Sequence, residues 1–88
     1  MKDATWRELL DDRLKAQGET WDDITGTTLL ESEYDVIFDN GWGGAEGKPF
    51  TVWTKNRVYF PAVYDGSEWV ASVSRNPDGI PTNHVGGE

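Results

Sequence analysis

Apolar residues recur at helical spacing near the N-terminus of the chain, between residues 5 and 17. The apolar stripe consists of Trp6, Leu9, Leu10 and Leu14. The charged residues between them lie largely off this stripe, as in an amphipathic helix that packs on a core. Thr5 and Glu8 fit a capping box at the start, and Gly18 supplies a left-handed stop. The pattern therefore predicts a helix over residues 5–17.

The clearest β-type pattern lies between residues 50 and 73. Three runs rich in β-branched and aromatic residues cover 50–54, 57–64 and 67–73. They are separated by Lys55-Asn56 and by Asp65-Gly66, and the second of these pairs is a strong signal for a type I′ hairpin turn. The runs are therefore predicted to form an antiparallel meander.

Two-residue turns fix the register of this meander, with Tyr64 opposite Ser67 and Thr54 opposite Arg57. Side chains alternate between the two faces of a strand, so the register sorts them into two sets. One face holds Thr51, Trp53, Val58, Phe60, Ala62, Tyr64, Trp69, Ala71 and Val73. The other holds Phe50, Val52, Tyr59, Pro61, Val63, Glu68, Val70 and Ser72. We expect the first to be the core face, because its large rings can cover the helix stripe.

The rest of the chain connects or follows these elements. Residues 18–49 are expected to contain a short turn after Thr20, a helical turn passing into a strand before Asp39, and a glycine-rich loop. The tail, residues 74–88, has few apolar anchors and is predicted to be irregular. The whole chain, 1–88, is expected to be a single α+β domain in which the N-terminal helix packs on a three- to four-stranded antiparallel β-meander.

Charge and composition narrow the range of functions. The net charge is −8, and residues 1–46 hold twelve acidic against four basic residues. Such a surface repels phosphate, which argues against direct binding of nucleic acid. The chain has no cysteine, so thiol chemistry and thiolate metal sites are excluded. It shows neither a signal peptide nor a membrane span, and a cytoplasmic setting is expected.

Candidate catalytic or cofactor motifs are weak. The glycine-rich segment from Gly41 to Pro49 fails the phosphate-loop pattern at Trp42 and at Pro49. The acids at Asp35, Asp39 and Glu46 lack the spacing of a calcium loop. His84, the single histidine, has no recognisable catalytic neighbours in the sequence. We therefore expect no enzyme activity, no metal and no cofactor.

The second sheet face suggests a binding surface. Either residues 20–38 fold over it, or it stays open as the kind of apolar patch that marks a protein interface or the contact of a homodimer. Trp42, between glycines, is either a plug over the sheet or an exposed anchor. The predicted contacts with a protein partner are Trp42, Tyr59, Val63 and Val70.

The acidic half supports an alternative hypothesis. Carboxylates along exposed helices can imitate a phosphate backbone and occupy the nucleic-acid groove of another protein. The residues that would do so are Asp11, Asp12, Asp22, Asp23, Glu31 and Glu33. The competing interpretation is a solvated acidic surface with no partner.

Three stretches carry a resemblance, namely FTVWTKNRVYFP (50–61), YDGSEWV (64–70) and RNP (75–77). In these residues the chain resembles short hypothetical proteins of bacteriophages and prophages. The resemblance implies no defined activity and no catalytic residue. It implies a small accessory protein that binds a host or phage protein in the bacterial cytoplasm.

Overall fold

The computed structural model describes residues 3–39, 46–64 and 67–85. These residues form an α+β fold, as the sequence pattern predicted. In chain order the elements are β1 (Asp3–Ala4), α1 (Trp6–Ala16), a 3₁₀ turn (Trp21–Asp23), β2 (Ile24–Thr27), a second 3₁₀ turn (Glu31–Asp35), β3 (Phe38–Asp39), β4 (Val52–Thr54), β5 (Arg57–Tyr64) and β6 (Ser67–Ser74).

The helix α1 begins and ends where local chemistry requires. The Glu8 amide donates to Thr5 Oγ1 at 3.2 Å, and the Thr5 amide donates to Glu8 Oε1 at 3.1 Å, which completes the predicted capping box. Gly18 follows with φ +74°, a left-handed conformation that stops a helix and favours glycine. The buried side of α1 presents Trp6, Leu10 and Leu14.

Strands β2, β4, β5 and β6 form one antiparallel sheet in that order. Tyr64 pairs with Ser67 and Trp53 pairs with Val58, so the register predicted from the two turns is confirmed. The fourth strand is β2, which lies beside β4 at one edge. A separate two-stranded sheet pairs β1 with β3.

A proline is tolerated in the middle of β5 because of the strand's position. Pro61 pairs with Val70 of β6, and the Val70 carbonyl accepts a hydrogen bond from Arg13 on α1 rather than from β5. The nitrogen of Pro61, which carries no hydrogen, therefore lies on the β4 side of β5. β4 begins only at Val52, opposite Tyr59, so it does not extend as far as Pro61. No ladder hydrogen bond is lost at that level of the sheet.

The core lies on the opposite side of the sheet from the one we expected. Val52, Tyr59 and Val70 are 0%, 0% and 2% exposed, and they pack with the α1 stripe. Leu29 and Tyr34, from the segment between β2 and β3, join the same cluster. The prediction that the face bearing the tryptophans is the core face is therefore wrong. Alternation sorts side chains into two faces, but the packing of α1 and residues 20–38 decides which one is buried.

Candidate functional site

The outward side of the sheet carries Trp53, Val58, Phe60, Ala62, Trp69, Ala71 and Val73, a set that we call the open face. All of these side chains except Ala71 remain partly exposed. Register places them in adjoining rows across the strands, because Trp53 pairs with Val58, Phe60 with Ala71 and Ala62 with Trp69. The residues of the core cluster, including those from α1, pack on the other side of the sheet. The open face is thus an apolar surface that the helix layer does not cover.

The open face has distinct borders. At the β2 side, Trp53 lies over Gly26, where a Cβ atom would come 3.5 Å from Trp53 Cε3. At the β6 side, the Arg13 guanidinium lies 5.5 Å from the centre of the Trp69 ring. A cation over an indole face is a favourable contact that also holds the ring in place. Both tryptophans are therefore held at the edges of the surface with part of each ring exposed.

The predicted contact residues are divided by this arrangement. Tyr59 and Val70 are buried beneath α1, so the prediction that they are available to a partner is wrong, for the reason given above. Val63, near the end of β5, is 37% exposed and lies at the surface. Trp42 lies outside the described residues. Alternation in the sequence had placed the rings of the open face in one set. The open face was nevertheless missed as a candidate binding surface, because that set was assigned to the core.

The buried side of the sheet contains a polar network around Tyr59. The Tyr59 hydroxyl donates to the Glu19 carboxylate, and Thr54 Oγ1 donates to the same carboxylate at 3.0 Å. Burial raises the pKa of Tyr59 above its ordinary value, and the neighbouring Glu19 carboxylate raises it further. This network satisfies the polar atoms of a fully buried ring, and it therefore stabilises the fold rather than forming an accessible reactive site.

A second buried polar group anchors the chain where the glycine-rich segment ends. Glu68, 4% exposed, accepts hydrogen bonds from the amides of Glu46 (2.6 Å) and Gly47 (3.0 Å). The Trp6 indole donates to the Lys48 carbonyl at 2.9 Å, directly beside Gly47. A Cβ atom at position 47 would come within 2.5 Å of Trp6 Cζ2, so the close packing requires glycine. Glu68 was not singled out from the sequence, where a glutamate in an edge strand gives no sign of burial.

Most of the acidic residues of the alternative hypothesis have local partners. Asp11 pairs with Lys15 at 2.8 Å, Glu31 pairs with Arg7 at 2.7 Å, and Glu33 pairs with Lys48. Hydrogen bonding to Lys15 lowers the pKa of Asp11, and hydrogen bonding to the Leu30 amide and to Lys48 lowers that of Glu33. The remaining acids of the set are Asp12, Asp22 and Asp23.

Asp23 closes the first 3₁₀ turn by accepting a hydrogen bond from the Thr20 amide at 2.7 Å. Asp12 and Asp22 are exposed, and neither forms an ion pair within the described part of the chain. The structure therefore leaves two carboxylates of the predicted six without a close partner, on two different elements. The other four accept hydrogen bonds or form ion pairs with nearby residues.

His84 is exposed, and it lines a groove together with Asp78 and Ser72. No hydrogen bond joins it to another described residue. In residues 3–39, 46–64 and 67–85, no group of three or more histidine, aspartate or glutamate side chains is placed to hold a metal ion. The helices in those ranges are too short or too polar to span a lipid bilayer.

Comparison with family models, with curated proteins and with solved structures gives no match to this chain.

Proposed function

We propose that this chain acts by binding another protein through the open face, without catalysing a reaction. The observation that carries the proposal is the set of partly exposed rings of Trp53, Phe60 and Trp69 on the side of the sheet away from the helix layer. A contiguous apolar surface of this kind marks an interaction site on a small protein. Tryptophan is also enriched among the residues that dominate binding energy.

The size of the surface indicates how a partner would use it. β5 has eight residues and spans roughly 27 Å, and the three strands that carry the open face span roughly 10 Å, which together give an area on the order of 270 Å². A specific interface buries about 800 Å² on each partner. A stable complex would therefore extend beyond the open face, over the sheet borders near Arg13 and Gly26.

The chemistry of the open face supports binding rather than catalysis. Its members are tryptophan, phenylalanine, valine and alanine, which contain no acid, base or nucleophile. General acid–base and nucleophilic catalysis both require such groups in contact with a substrate. The partner is accordingly expected to present apolar side chains, with the area between the rings closed to water.

The setting of the protein is part of the same proposal. The resemblance of residues 50–77 to short bacteriophage and prophage proteins supports an accessory role in a bacterial cytoplasm, with a host or phage protein as partner. The alternative, an acidic mimic of nucleic acid, has weaker support because four of its six carboxylates are held by local cations or amide groups. A mimic needs carboxylates that are free to meet a basic partner.

Site-specific photo-crosslinking tests the proposal. We would place p-benzoylphenylalanine at position 60 on the open face and, as a matched control, at position 37, where Ile37 is 67% exposed beside the helix layer. Both variants would be expressed and irradiated in bacterial cells. We expect a discrete covalent adduct from position 60 that is absent from position 37, with the partner identified by mass spectrometry.

Two outcomes would contradict this proposal. Adducts from position 37 alone would transfer the interaction to the exposed apolar residues near the second 3₁₀ turn, which include Leu30, Val36 and Ile37. A position-60 adduct between two copies of the chain, with a solution mass twice 9.9 kDa by light scattering, would make the open face a homodimer contact instead.

A further inference from the structure

Two arginines without carboxylate partners meet in one groove beside β6. Arg13 on α1 donates from Nε to the Val70 carbonyl at 2.9 Å, and Arg57 on β5 donates from Nε to Ser72 Oγ at 3.0 Å. Neither forms an ion pair or any further hydrogen bond within the described residues, so the terminal nitrogens of both guanidinium groups remain available. By contrast, Arg7 is fully engaged with two carboxylates.

The groove has the dimensions of a binding site. Its volume is about 430 Å³, within the range of about 300–1,000 Å³ that is typical of ligand sites. It runs between the C-terminal half of α1, the outer edge of β6 and the segment 78–85. Its polar lining includes Arg13, Gln17, Arg57, Ser72, Asp78 and His84.

The β6 edge of the groove offers backbone groups to a ligand. The Val70 carbonyl faces away from β5, since it accepts from Arg13, whereas the Arg75 amide faces toward β5 and donates to the Asn56 carbonyl. Alternate residues of a strand point the same way, so the N–H and C=O groups of Ser72 and Ser74 also face outward. β6 is the last strand of its sheet, and no described strand pairs with this edge.

The charge in the groove favours an acidic ligand. The two arginine side chains face one acid in the lining, Asp78, whose carboxylate accepts from the Ile80 amide at 3.0 Å. Glu19 does not pair with Arg57. The Glu19 carboxylate accepts hydrogen bonds from the Tyr59 and Thr54 hydroxyls instead. On a chain with a net charge of −8, two unpaired guanidinium groups in one groove form a local cationic site. A guanidinium binds a carboxylate through a planar pair of hydrogen bonds.

We propose that this groove binds an extended, acidic peptide segment of a partner protein. The segment lies along the outer edge of β6 and exchanges backbone hydrogen bonds with Ser72 and Ser74, as a strand added to a sheet. A carboxylate of the segment accepts hydrogen bonds from the terminal nitrogens of Arg13 and Arg57. The groove adjoins the open face, because Trp69, Ala71 and Val73 also line it, but the inference does not depend on the function proposed above.

The test uses the full 88-residue chain, labelled with ¹⁵N, and two probes. The first probe is an acetylated, amidated hexapeptide in which two glutamates alternate with valine and threonine, and the second has glutamine in place of both glutamates. Titration followed by NMR is expected to shift the amide signals of Ser72 and Ser74 and the Nε signals of Arg13 and Arg57. We expect the glutamine peptide to bind at least about tenfold more weakly, because it loses the charge-assisted hydrogen bonds.

Substitutions distinguish the specific effect of the two arginines from the effect of net charge. Arg57→Gln and Arg13→Gln are each expected to lower the affinity for the glutamate peptide at least about fivefold. Arg57→Lys is expected to restore only part of the affinity that Arg57→Gln loses. Lys55→Gln removes the same charge at an exposed position outside the groove and is expected to leave binding unchanged. Amide spectra of each variant verify that it is folded, and Arg57→Gln alone suffices if Arg13→Gln does not fold.

Several results would overturn this assignment. These are equal binding of the two peptides, signal shifts confined to residues outside the groove, or a loss in Lys55→Gln as large as that in Arg57→Gln. Inorganic phosphate that binds as tightly as the glutamate peptide would also overturn it, since the groove would then bind small anions without using the strand edge.

Discussion

The two faces of the four-stranded sheet differ little in apolar content but greatly in burial. Tyr59 and Phe60 are neighbours on β5, yet Tyr59 is fully buried under α1 whereas Phe60 remains partly exposed on the open face. The difference arises from α1 and from Leu29 and Tyr34, which all pack on the Tyr59 side of the sheet. The sheet has two apolar faces and only one helix layer, so the helix layer leaves the second face uncovered.

The largest expected effect comes from replacing these neighbouring rings in turn. Tyr59→Ala is expected to cost about 3–5 kcal/mol in the free energy of unfolding, because it removes a fully buried ring and leaves a cavity. Such a loss approaches the whole stability of a domain of this size. Phe60→Ala is expected to cost less than half as much. Urea denaturation of both variants measures the difference, and equal losses would mean that Phe60 is also buried.

Two glycines that contact tryptophan rings, Gly47 in the core and Gly26 beside the open face, provide the next comparison. Gly47→Ala would place a Cβ atom 2.5 Å from Trp6 Cζ2, and we expect a cost of about 1–3 kcal/mol from overpacking of the core. Gly26→Ala would place one at 3.5 Å from Trp53, an ordinary contact on the open face. Its effect on stability is expected to lie within about 1 kcal/mol of zero. Thermal unfolding distinguishes the two, and a larger loss for Gly26→Ala would reverse the assignment of the faces.

A pH effect of intermediate size is expected from Tyr59. Its folded-state pKa is raised by burial and by Glu19, whereas the unfolded chain releases this proton near pH 10. The stability contribution is therefore complete below about pH 10 and is lost as the pH rises further, by up to about 1.4 kcal/mol per pH unit. Tyr59→Phe should flatten this decline. An unchanged alkaline slope in the variant would show that the hydroxyl is not held as described.

The smallest effect is expected on the outer surface of the helix layer. Arg7 donates to Asp35 at 2.7 Å, and this bond lowers the pKa of Asp35. The contribution of this ion pair to stability is therefore present above about pH 4 and is lost as the pH falls through the folded-state pKa of Asp35. Asp35→Asn should reduce the melting temperature only slightly, and less so in high salt, because the pair is exposed. A loss comparable to that of Gly47→Ala would contradict this ranking.

Local chemistry made part of the fold predictable. The pairing of Thr5 with Glu8 and the left-handed Gly18 set the bounds of α1. The turns predicted at 55–56 and 65–66 gave the register that β4, β5 and β6 show. These features depend on residues close together in the chain. Sequence reasoning also placed Trp53 and Trp69 on one face, which the register confirms.

The remaining features depend on contacts between distant segments. Apolar residues occupy both faces of the meander, so the pattern could not show which face would meet α1. The pairing of β1 with β3 involves two residues on each strand, too few to leave a periodic signal. The burial of Glu68 follows from its bonds to the amides of Glu46 and Gly47, which the residue type does not reveal. The rings of the open face were therefore predicted as one set, but that set was assigned to the core, and the opposite face was predicted to bind the partner.

Hydroxyl-radical footprinting of the tryptophans in the purified chain measures directly whether the open face is uncovered, because intrinsic reactivity is the same for each indole. We expect Trp53 and Trp69 to be oxidised several-fold faster than Trp6, which is 1% exposed in the core. Oxidation of Trp53 and Trp69 as slow as that of Trp6 would contradict this expectation, since the face proposed to bind a partner would then already be covered.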